Sequence, residues 1–359
     1  MDVVWAAVVP WAIAAAKVVG AALLVSVAFH VAFRHRKPRL VLRQFSSGLV
    51  AHVIDGDAGP AFVHKEMFLE ADGSYFRHGV SLEDAETRDG RHVPLVLDVG
   101  ANVGFFARQV LARCPTVDIV CYEPIPILAE AARRNTARVL NGAAYAQHVT
   151  VHQVGLSDEA HDSVPLTCFP GFSATSCVDT KAIHSGAATG TVAGMLIAGA
   201  HDLAWAGLVP QWASAAARAI FSVPVVAPLA VAVILPVFVW GLHLRNCVKG
   251  LHNFTVGCPL RRLDAMLAAD GLAGRPIDML KVDIEGAEWA MLQGMSDHNW
   301  AAVRQAVIEV HDVDGRLAKL QALLRAKGFR HIVVGTEEME SHKILGIYTV
   351  FARKDAPRS

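Results

Sequence analysis

The sequence has few charged residues, and those residues are unevenly distributed. Only 18% of the 359 residues are Asp, Glu, Lys or Arg, and the 33 basic side chains are balanced by 33 acidic ones. Nucleic-acid binding needs an excess of positive charge, so we expect no nucleic-acid partner. Residues 1–33 and 185–244 together carry 4 of the 66 charges. The remainder of the chain has the charge density of a normal globular domain, which excludes a disordered protein.

The sequence also lacks paired cysteines. None of the six cysteines forms a C-x-x-C motif. This pattern argues against a disulfide scaffold, and we expect reduced, packed thiols in a reducing compartment.

Two long apolar stretches account for the missing charge. Residues 1–34 are predicted to be a transmembrane anchor, because Val3–Phe33 is long enough to cross a hydrocarbon core. The alternative is two interfacial pieces divided by Pro10 and Lys17. Positive charge accumulates on the cytoplasmic flank, which predicts an integral membrane protein with its catalytic domain facing the cytosol. That flank contains Arg34, His35, Arg36, Lys37 and Arg39.

The second apolar stretch is an insert at residues 186–244. Ala219–Leu242 has no charge at all, and because both ends must rejoin one domain, we predict a helical hairpin that turns near Pro210. A re-entrant pair that dips into one leaflet is the alternative. His201 and Asp202 interrupt the insert, and an ionisable pair in an apolar span is a functional candidate.

The rest of the chain is typical of an α/β domain. Residues 40–94 are predicted to be a small N-terminal subdomain, and residues 95–185 and 245–354 to be two parts of one doubly wound, mostly parallel seven-stranded sheet. The predicted strands are 95–99, 118–122, 149–154, 278–283, 305–310, 330–334 and 347–352.

A glycine loop follows the first of these strands. Asp98 ends the apolar strand, and Gly100 and Gly104 allow a tight turn into a helix beside a ligand. The loop has neither the G-x-G-x-x-G pattern of a dinucleotide site nor the Gly-Lys-Ser/Thr of a P-loop. A carboxylate there suits a cofactor with a positively charged amino acid end.

The next two strands also end in acids. Glu123 lies 25 positions after Asp98, where a carboxylate can accept hydrogen bonds from both hydroxyls of a ribose, although a helix cap is the alternative. Ser157 and Asp158 follow the third strand, and Asp158 is predicted to reach an adenine amino group, although both residues are equally good N-caps.

The fourth and fifth strands are predicted to carry the catalytic groups. Lys281, Asp283 and Glu285 share one face of a strand, and His311 ends its neighbour. Charges in a central parallel strand are costly to bury, so we expect them in an active-site cleft. His311 is the first choice of base, because its reference pKa is near neutrality. The alternatives are helix-capping carboxylates with a packed histidine, or carboxylates that hold a divalent metal, which the spacing permits but does not require.

These motifs together resemble the FkbM family of S-adenosylmethionine-dependent O-methyltransferases. The resemblance rests on LDVGANVGFFA, YEPIP, GLSD, LRRLDAML, DMLKVDIEGAEWAMLQGM and VIEVH, in that order. It implies the class I methyltransferase fold, S-adenosylmethionine as cofactor and methyl transfer to a hydroxyl. It also implies a cofactor site lined by Asp98, Gly100, Asn102, Gly104, Glu123 and Asp158.

The two apolar stretches depart from the compact, soluble pattern of the family. They therefore influence which methyl acceptor we predict. An apolar hairpin beside the sheet predicts a lipidic or lipid-linked sugar acceptor and a lipid bilayer as partner. The competing interpretation is a catalytically silent membrane scaffold that keeps the fold. A dehydrogenase is disfavoured by the missing middle glycine.

Overall fold

The structure is a computed structural model, and it describes only part of the chain. The described residues are 17, 20–69, 75–82, 93–139, 149–175, 200–204, 206, 208–221, 240–241, 243–335 and 340–355. Most of the first half of the predicted anchor and most of the predicted insert therefore lie outside the described residues.

Strands and helices alternate along the described residues. The strands are β1 (Leu40–Gln44), β2 (Val50–Ile54), β3 (Leu95–Val99), β4 (Asp118–Tyr122), β5 (Val149–His152), β6 (Gly155–Leu156), β7 (His161–Cys168), β8 (Phe254–Arg261), β9 (Met279–Val282), β10 (Gln305–His311), β11 (His331–Val334) and β12 (Ile347–Arg353). The helices are α1 (Gly59–His64), α2 (Phe105–Arg113), α3 (Pro126–Val139), α4 (Trp212–Phe221), α5 (Leu263–Ala269), α6 (Glu288–Gln293), α7 (Asp297–Ala302), α8 (Arg316–Ala326) and α9 (Glu340–Leu345).

The central sheet has seven strands in the order β11-β12-β10-β9-β3-β4-β5. Strand β12 is antiparallel to both of its neighbours, and the pairs β5-β4, β4-β3, β3-β9 and β9-β10 are parallel. The predicted mostly parallel α/β sheet is confirmed. The chain runs outward from β3 to β5 and then returns to β9, so the strand order reverses between β3 and β9. Open α/β sheets bind ligands at this position.

Two apolar cores cover the faces of this sheet, which explains the continuous apolar runs of its strands. Val96 of β3 packs with Phe105 and Phe106 of α2 on one face. Leu97 of β3 packs on the opposite face with Trp300 of α7 and Leu320 of α8. Burial on both sides holds the strand ends, and the loops that follow them, in fixed positions.

A second sheet, in the order β6-β8-β7, is formed by strands that precede and follow the predicted insert in the sequence. Strands β7 and β8 are antiparallel, and Cys168 pairs with Phe254, so the chain departs and returns at adjacent residues. The prediction of a single strand at 149–154 was wrong in its extent, because β5 ends at His152 and β6 joins this second sheet. Strands β7 and β8 were not predicted, since the first half of β7 is exposed and polar.

The N-terminal helical residues pack near the end of the insert. Residues 20–33 are helical, and the indole of Trp240 donates a hydrogen bond to Ser26 at 2.9 Å. Residues 206 and 211 lie in turns and residues 208 and 209 in bends, near Pro210, where the hairpin turn was predicted. No helix among the described residues has the length and apolar character needed to cross a membrane.

Candidate active site

A cavity of about 410 Å³ lies at the carboxyl ends of β3, β4, β9 and β10. Its polar lining includes Asn102, Glu123, Asp202, Lys281, Asp283, Glu285 and Glu309. Its apolar lining includes Pro60, Phe62, Met67, Phe106, Phe172 and Leu203. A largely apolar cavity with a few convergent charged groups, at the point where strand order reverses, has the character of a ligand site.

The glycine loop after β3 forms one wall of the cavity, and its glycines are required by geometry. Gly100 has a φ of +81°, and a Cβ there would lie 1.7 Å from the carbonyl oxygen of Asp283. No other residue lets the loop lie this close to the end of β9. Gly104, with a φ of +78°, is the N-cap of α2. Asn102, between the two glycines, also has a left-handed backbone, a conformation that clusters at ligand sites.

Glu123 is a buried carboxylate that closes this loop. It is 5% exposed, its Oε2 accepts a hydrogen bond from the backbone N–H of Asn102 at 2.8 Å, and its Oε1 accepts one from Ile125 at 2.9 Å. Burial raises the pKa of Glu123 to about 7, although the two backbone hydrogen bonds oppose the rise. Each carboxylate oxygen keeps a lone pair for a further donor, so the carboxylate can accept hydrogen bonds from a ligand diol.

Lys281 links two predicted acids beneath the loop. Its Nζ lies 3.3 Å from Oδ1 of Asp98 and 3.4 Å from Oδ2 of Asp283, and it donates a hydrogen bond to the carbonyl oxygen of Gly100 at 2.7 Å. Burial lowers the pKa of Lys281, but the two carboxylates outweigh burial and hold it above its usual value. Lys281 is therefore a fixed cation that organises the loop.

Asp98 lies beneath the cavity and does not line it. It is fully buried, and its burial raises its pKa against the effect of Lys281. The expected direct contact between Asp98 and a positively charged cofactor group does not fit this placement. Asp283 is partly exposed and lines the cavity, so it is the carboxylate that such a group could contact.

Tyr75 is a site residue that the sequence did not predict. Its hydroxyl donates a hydrogen bond to Oδ2 of Asp283 at 3.0 Å. Burial and the adjacent Asp283 raise the pKa of Tyr75 well above its usual value, so the hydroxyl stays protonated as a donor. The two residues are 208 positions apart, and no local pattern in the sequence connects them.

A second charged group contains Glu285, Glu288 and His311. Nε2 of His311 lies 3.4 Å from Glu285, and Nδ1 lies 3.4 Å from Glu288. Burial lowers the pKa of His311, but the two glutamates outweigh burial and raise it to about 11. A histidine with its pKa raised in this way keeps its proton at neutral pH, which favours a neighbouring carboxylate over the predicted His311 as the base.

Glu285 is better placed to accept a proton. It lines the cavity, whereas His311 does not, and burial raises the pKa of Glu285 although His311 opposes the rise. Its φ of +52° is unusual for a residue with a side chain and belongs to the turn that follows β9. Glu288 was not predicted to be functional.

The predicted adenine-binding pair lies elsewhere. The hydroxyl of Ser157 donates a hydrogen bond to Asp158 at 2.9 Å, and the carbonyl oxygen of Asp158 accepts one from Arg262 at 2.7 Å. The backbone of both residues packs against Gly294. Neither residue lines the cavity, where Gly155 and Leu156 form that edge instead. Gly104 also lies outside the lining.

The arrangement fits S-adenosylmethionine. Glu123 offers a buried diol acceptor, the loop from Gly100 to Gly104 offers a close backbone approach, and Asp283 offers a carboxylate for an ammonium. Glu285, Glu309 and His311 could also hold a metal ion, since one ligand atom of each lies within 4.8 Å of the others.

The strand order gives a class I methyltransferase-like α/β fold with a mixed sheet. Residues 249–331 match the family described as "Methyltransferase FkbM domain". The chain is 30% identical over 298 residues to "31-O-demethyl-FK506 methyltransferase FkbM" of Streptomyces tacrolimicus, a match that covers 80% of this chain and 88% of that protein. The chain therefore belongs to the FkbM methyltransferase family.

Other relatives differ in length and likeness. "Methyltransferase sdnD" of Sordaria araneosa is 27% identical over 278 residues, which cover 75% of this chain and 81% of that protein. "AMB antimetabolite synthetase AmbE" of Pseudomonas aeruginosa is 30% identical over 267 residues, but the chain spans only 10% of its length. A solved FkbM methyltransferase from Methylobacillus flagellatus has 13% identity and a TM-score of 0.38 over 81% of this chain and 58% of that one, and this likeness carries no further weight.

Proposed function

We propose that the protein is an S-adenosylmethionine-dependent O-methyltransferase that acts on a hydroxyl of a lipidic or lipid-linked sugar acceptor. The observation that carries the proposal is that Glu123, Asp283 and Glu285 line one cavity at the point where strand order reverses. Membership of the FkbM family supports methyl transfer.

The cofactor half of the cavity is built around Glu123. The cofactor, when bound, supplies an electrophilic methyl group on a sulfonium. Glu123 would accept hydrogen bonds from the two ribose hydroxyls, and Asp283 would bind the ammonium of the amino acid end. Tyr75 and Lys281 hold the Asp283 carboxylate from behind, so little side-chain freedom is lost when the ligand binds.

The acceptor half contains the base. Glu285 accepts the proton of the acceptor hydroxyl, and the His311 cation positions the Glu285 carboxylate at 3.4 Å. A base contributes about 10²–10⁴-fold to such a step. Glu288 on the other side of the imidazole keeps His311 protonated, so His311 acts through Glu285 and is a positioning residue.

A divalent cation held by Glu285, Glu309 and His311 is the alternative to this arrangement. It would bind the acceptor oxygen and lower the pKa of the hydroxyl. Activity after treatment with a chelator distinguishes the two, since a base mechanism keeps full activity without added metal and a cation mechanism loses it.

The acceptor is proposed to be apolar because its side of the cavity is apolar. Phe62, Met67 and Phe172 contribute to the lining, and Leu203 reaches it from the insert beside the buried Asp202. Asp202 and Leu203, which belong to the predicted insert, thus line the cavity on the side where we propose the acceptor binds. The printed name of the Streptomyces relative indicates O-methylation of a hydroxyl-bearing compound, which supports a hydroxyl acceptor here.

We also propose that the chain is anchored in a bilayer with the catalytic domain in the cytosol. The helical residues 20–33 expose large apolar side chains, and basic residues follow them directly. The exposed side chains include Leu23, Leu24, Val27 and Val31. Such a face matches acyl chains, and the basic residues match the cytosolic surface. Extraction of membranes with alkaline carbonate tests this, because an integral protein stays in the pellet and a peripheral one is released.

Product analysis tests the function. The assay combines purified full-length protein in lipid micelles with methyl-labelled cofactor and a total lipid and glycolipid extract. We expect a labelled product one methylene heavier than its precursor. Glu285→Gln should lower the rate of labelling by about 10²–10⁴-fold while it keeps cofactor binding. Failure of the folded wild type to bind the cofactor would refute the proposal. Unchanged biological function of Asp283→Ala and Glu285→Gln variants would support the scaffold alternative.

A further inference from the structure

A cluster of metal-ligand side chains lies apart from the catalytic cavity, where the N-terminal helical residues meet the end of the insert. One ligand atom from each of His30, Cys247 and His252 lies within 4.8 Å of the other two. None of these residues lines the catalytic cavity. Two imidazoles and one thiol form a donor set that zinc sites use in proteins.

A fourth donor stands at the edge of the cluster. His243 lies four residues before Cys247 in the same helical stretch, and its Nε2 is hydrogen-bonded to Sγ of Cys247 at 3.6 Å. A tetrahedral zinc ion with bonds of about 2.3 Å to sulfur and about 2.0 Å to nitrogen holds those two ligand atoms about 3.5 Å apart. The His243–Cys247 pair therefore already has the separation that zinc imposes.

One ligand atom of the cluster has no hydrogen-bond partner among the described residues. Cys247 is buried, and the Nε2 atom of His252 is buried with no hydrogen-bond partner. The rings of His30 and His252 meet edge to face with their centroids 5.4 Å apart.

We propose that His30, Cys247 and His252, with His243 as the fourth ligand, form a structural zinc site that joins the N-terminal helical residues to the catalytic domain. His252 lies two residues before β8, so a metal here ties residues 20–33 to the second sheet. Other contacts lie along the same junction. Arg36 donates a hydrogen bond to the carbonyl oxygen of Val248, and Trp240 donates one to Ser26.

Cobalt substitution of the purified full-length protein tests the site. Cobalt bound to a thiolate gives a sulfur-to-metal charge-transfer band, which the catalytic group of Glu285, Glu309 and His311 cannot produce because it has no sulfur. We expect the band in the wild type, its loss in Cys247→Ser, and a tenfold or greater weakening of cobalt affinity in His30→Gln and His252→Gln. His35→Gln, an exposed histidine outside the cluster, is the matched control and should keep the band.

Metal analysis completes the test. About one zinc ion per chain should copurify with the wild type and be absent from Cys247→Ser, and a chelator should lower the melting temperature of the wild type only. His30 is exposed, so His30→Gln keeps the test valid if Cys247→Ser does not fold. A wild type without the cobalt band, or a band that Cys247→Ser or His30→Gln leaves unchanged, would overturn the proposal.

Discussion

Lys281 and Asp98 pair across the centre of the sheet, where their backbones are in register and their charged atoms lie 3.3 Å apart in a fully buried position. A buried charge without its partner is strongly destabilising. The same lysine holds Asp283 and the carbonyl oxygen of Gly100. The stability of the domain and the shape of the cavity therefore depend on one ammonium group.

Lys281→Met should destabilise the protein by about 3–5 kcal/mol, because it leaves Asp98 buried and unpaired. The double variant Asp98→Asn/Lys281→Met should recover most of that loss, since the fully buried charge of Asp98 is removed, and Asp283 is partly exposed and keeps its hydrogen bond from Tyr75. Lys319→Met, at an exposed position of α8, is the control for the substitution itself. Denaturant unfolding measures all four proteins, and equal stability of Lys281→Met and the wild type would contradict the account.

The effect of Lys281→Met should also depend on pH. Burial already raises the pKa of Asp98 in the folded protein, and loss of the lysine raises it further. An acid whose folded pKa exceeds its unfolded pKa costs stability above the folded value, and the cost disappears once pH falls below the unfolded value. The stability difference between variant and wild type should therefore shrink as the pH is lowered from 7 toward 4. A constant difference would mean that Asp98 is not the cause.

Gly100→Ala should prevent the loop from closing against β9. The added Cβ would lie 1.7 Å from the backbone of Asp283, and backbone cannot move aside as a flexible side chain can. Gly328→Ala is the matched control, because Gly328 has a similar φ of +89° with no atom near its Cβ position. The control variant should lose about 1–2 kcal/mol of folding stability, which is the cost of a side chain at a left-handed backbone position alone. Thermal unfolding and cofactor binding should show a larger loss for Gly100→Ala, and equal losses would refute this role.

Glu285→Gln should lower kcat by about 10²–10⁴-fold and leave cofactor affinity unchanged, because only the proton acceptor is removed. His311→Gln should instead move the acidic limb of the pH–rate profile to higher pH. Without the His311 cation the pKa of Glu285 rises, and the carboxylate becomes available as a base only at higher pH. His298→Gln, an exposed histidine in α7, is the control. An unshifted profile in His311→Gln would exclude the positioning role.

The sheet was predictable because each of its strands is a short apolar run between polar turns. The run at β3 shows this, since Leu95 to Val99 is buried on both faces and reads as continuous hydrophobicity. The second sheet was missed because β7 begins with exposed polar residues, and its pairing with β8 joins segments on either side of the insert.

The candidate site was predictable only in part. Glu123 and Asp283, which follow strand ends, line the cavity, because parallel strands bring their carboxyl ends to one edge. The pairing of Lys281 with Asp98 depends on strand register, and the contact of Tyr75 with Asp283 spans 208 positions. Neither leaves a local signal in the sequence. The charge of His311 depends on two glutamates that only the fold brings together.

Titration of S-adenosylhomocysteine into the wild type and Glu123→Gln at pH 6 and pH 8 tests the central claim, that the cavity holds the cofactor through Glu123. The pKa of Glu123 is raised to about 7, so its carboxylate is mostly ionised only at the higher pH, and affinity should increase from pH 6 to pH 8. Hydrogen bonds to a charged group are worth about 1.5–3 kcal/mol. Glu123→Gln should therefore bind about 10- to 150-fold more weakly at pH 8 and lose the pH response, whereas Glu159→Gln, an exposed acid, should behave as the wild type. The claim would be contradicted if the folded wild type did not bind S-adenosylhomocysteine. It would also be contradicted if Glu123→Gln bound it as tightly as the wild type with the same pH response.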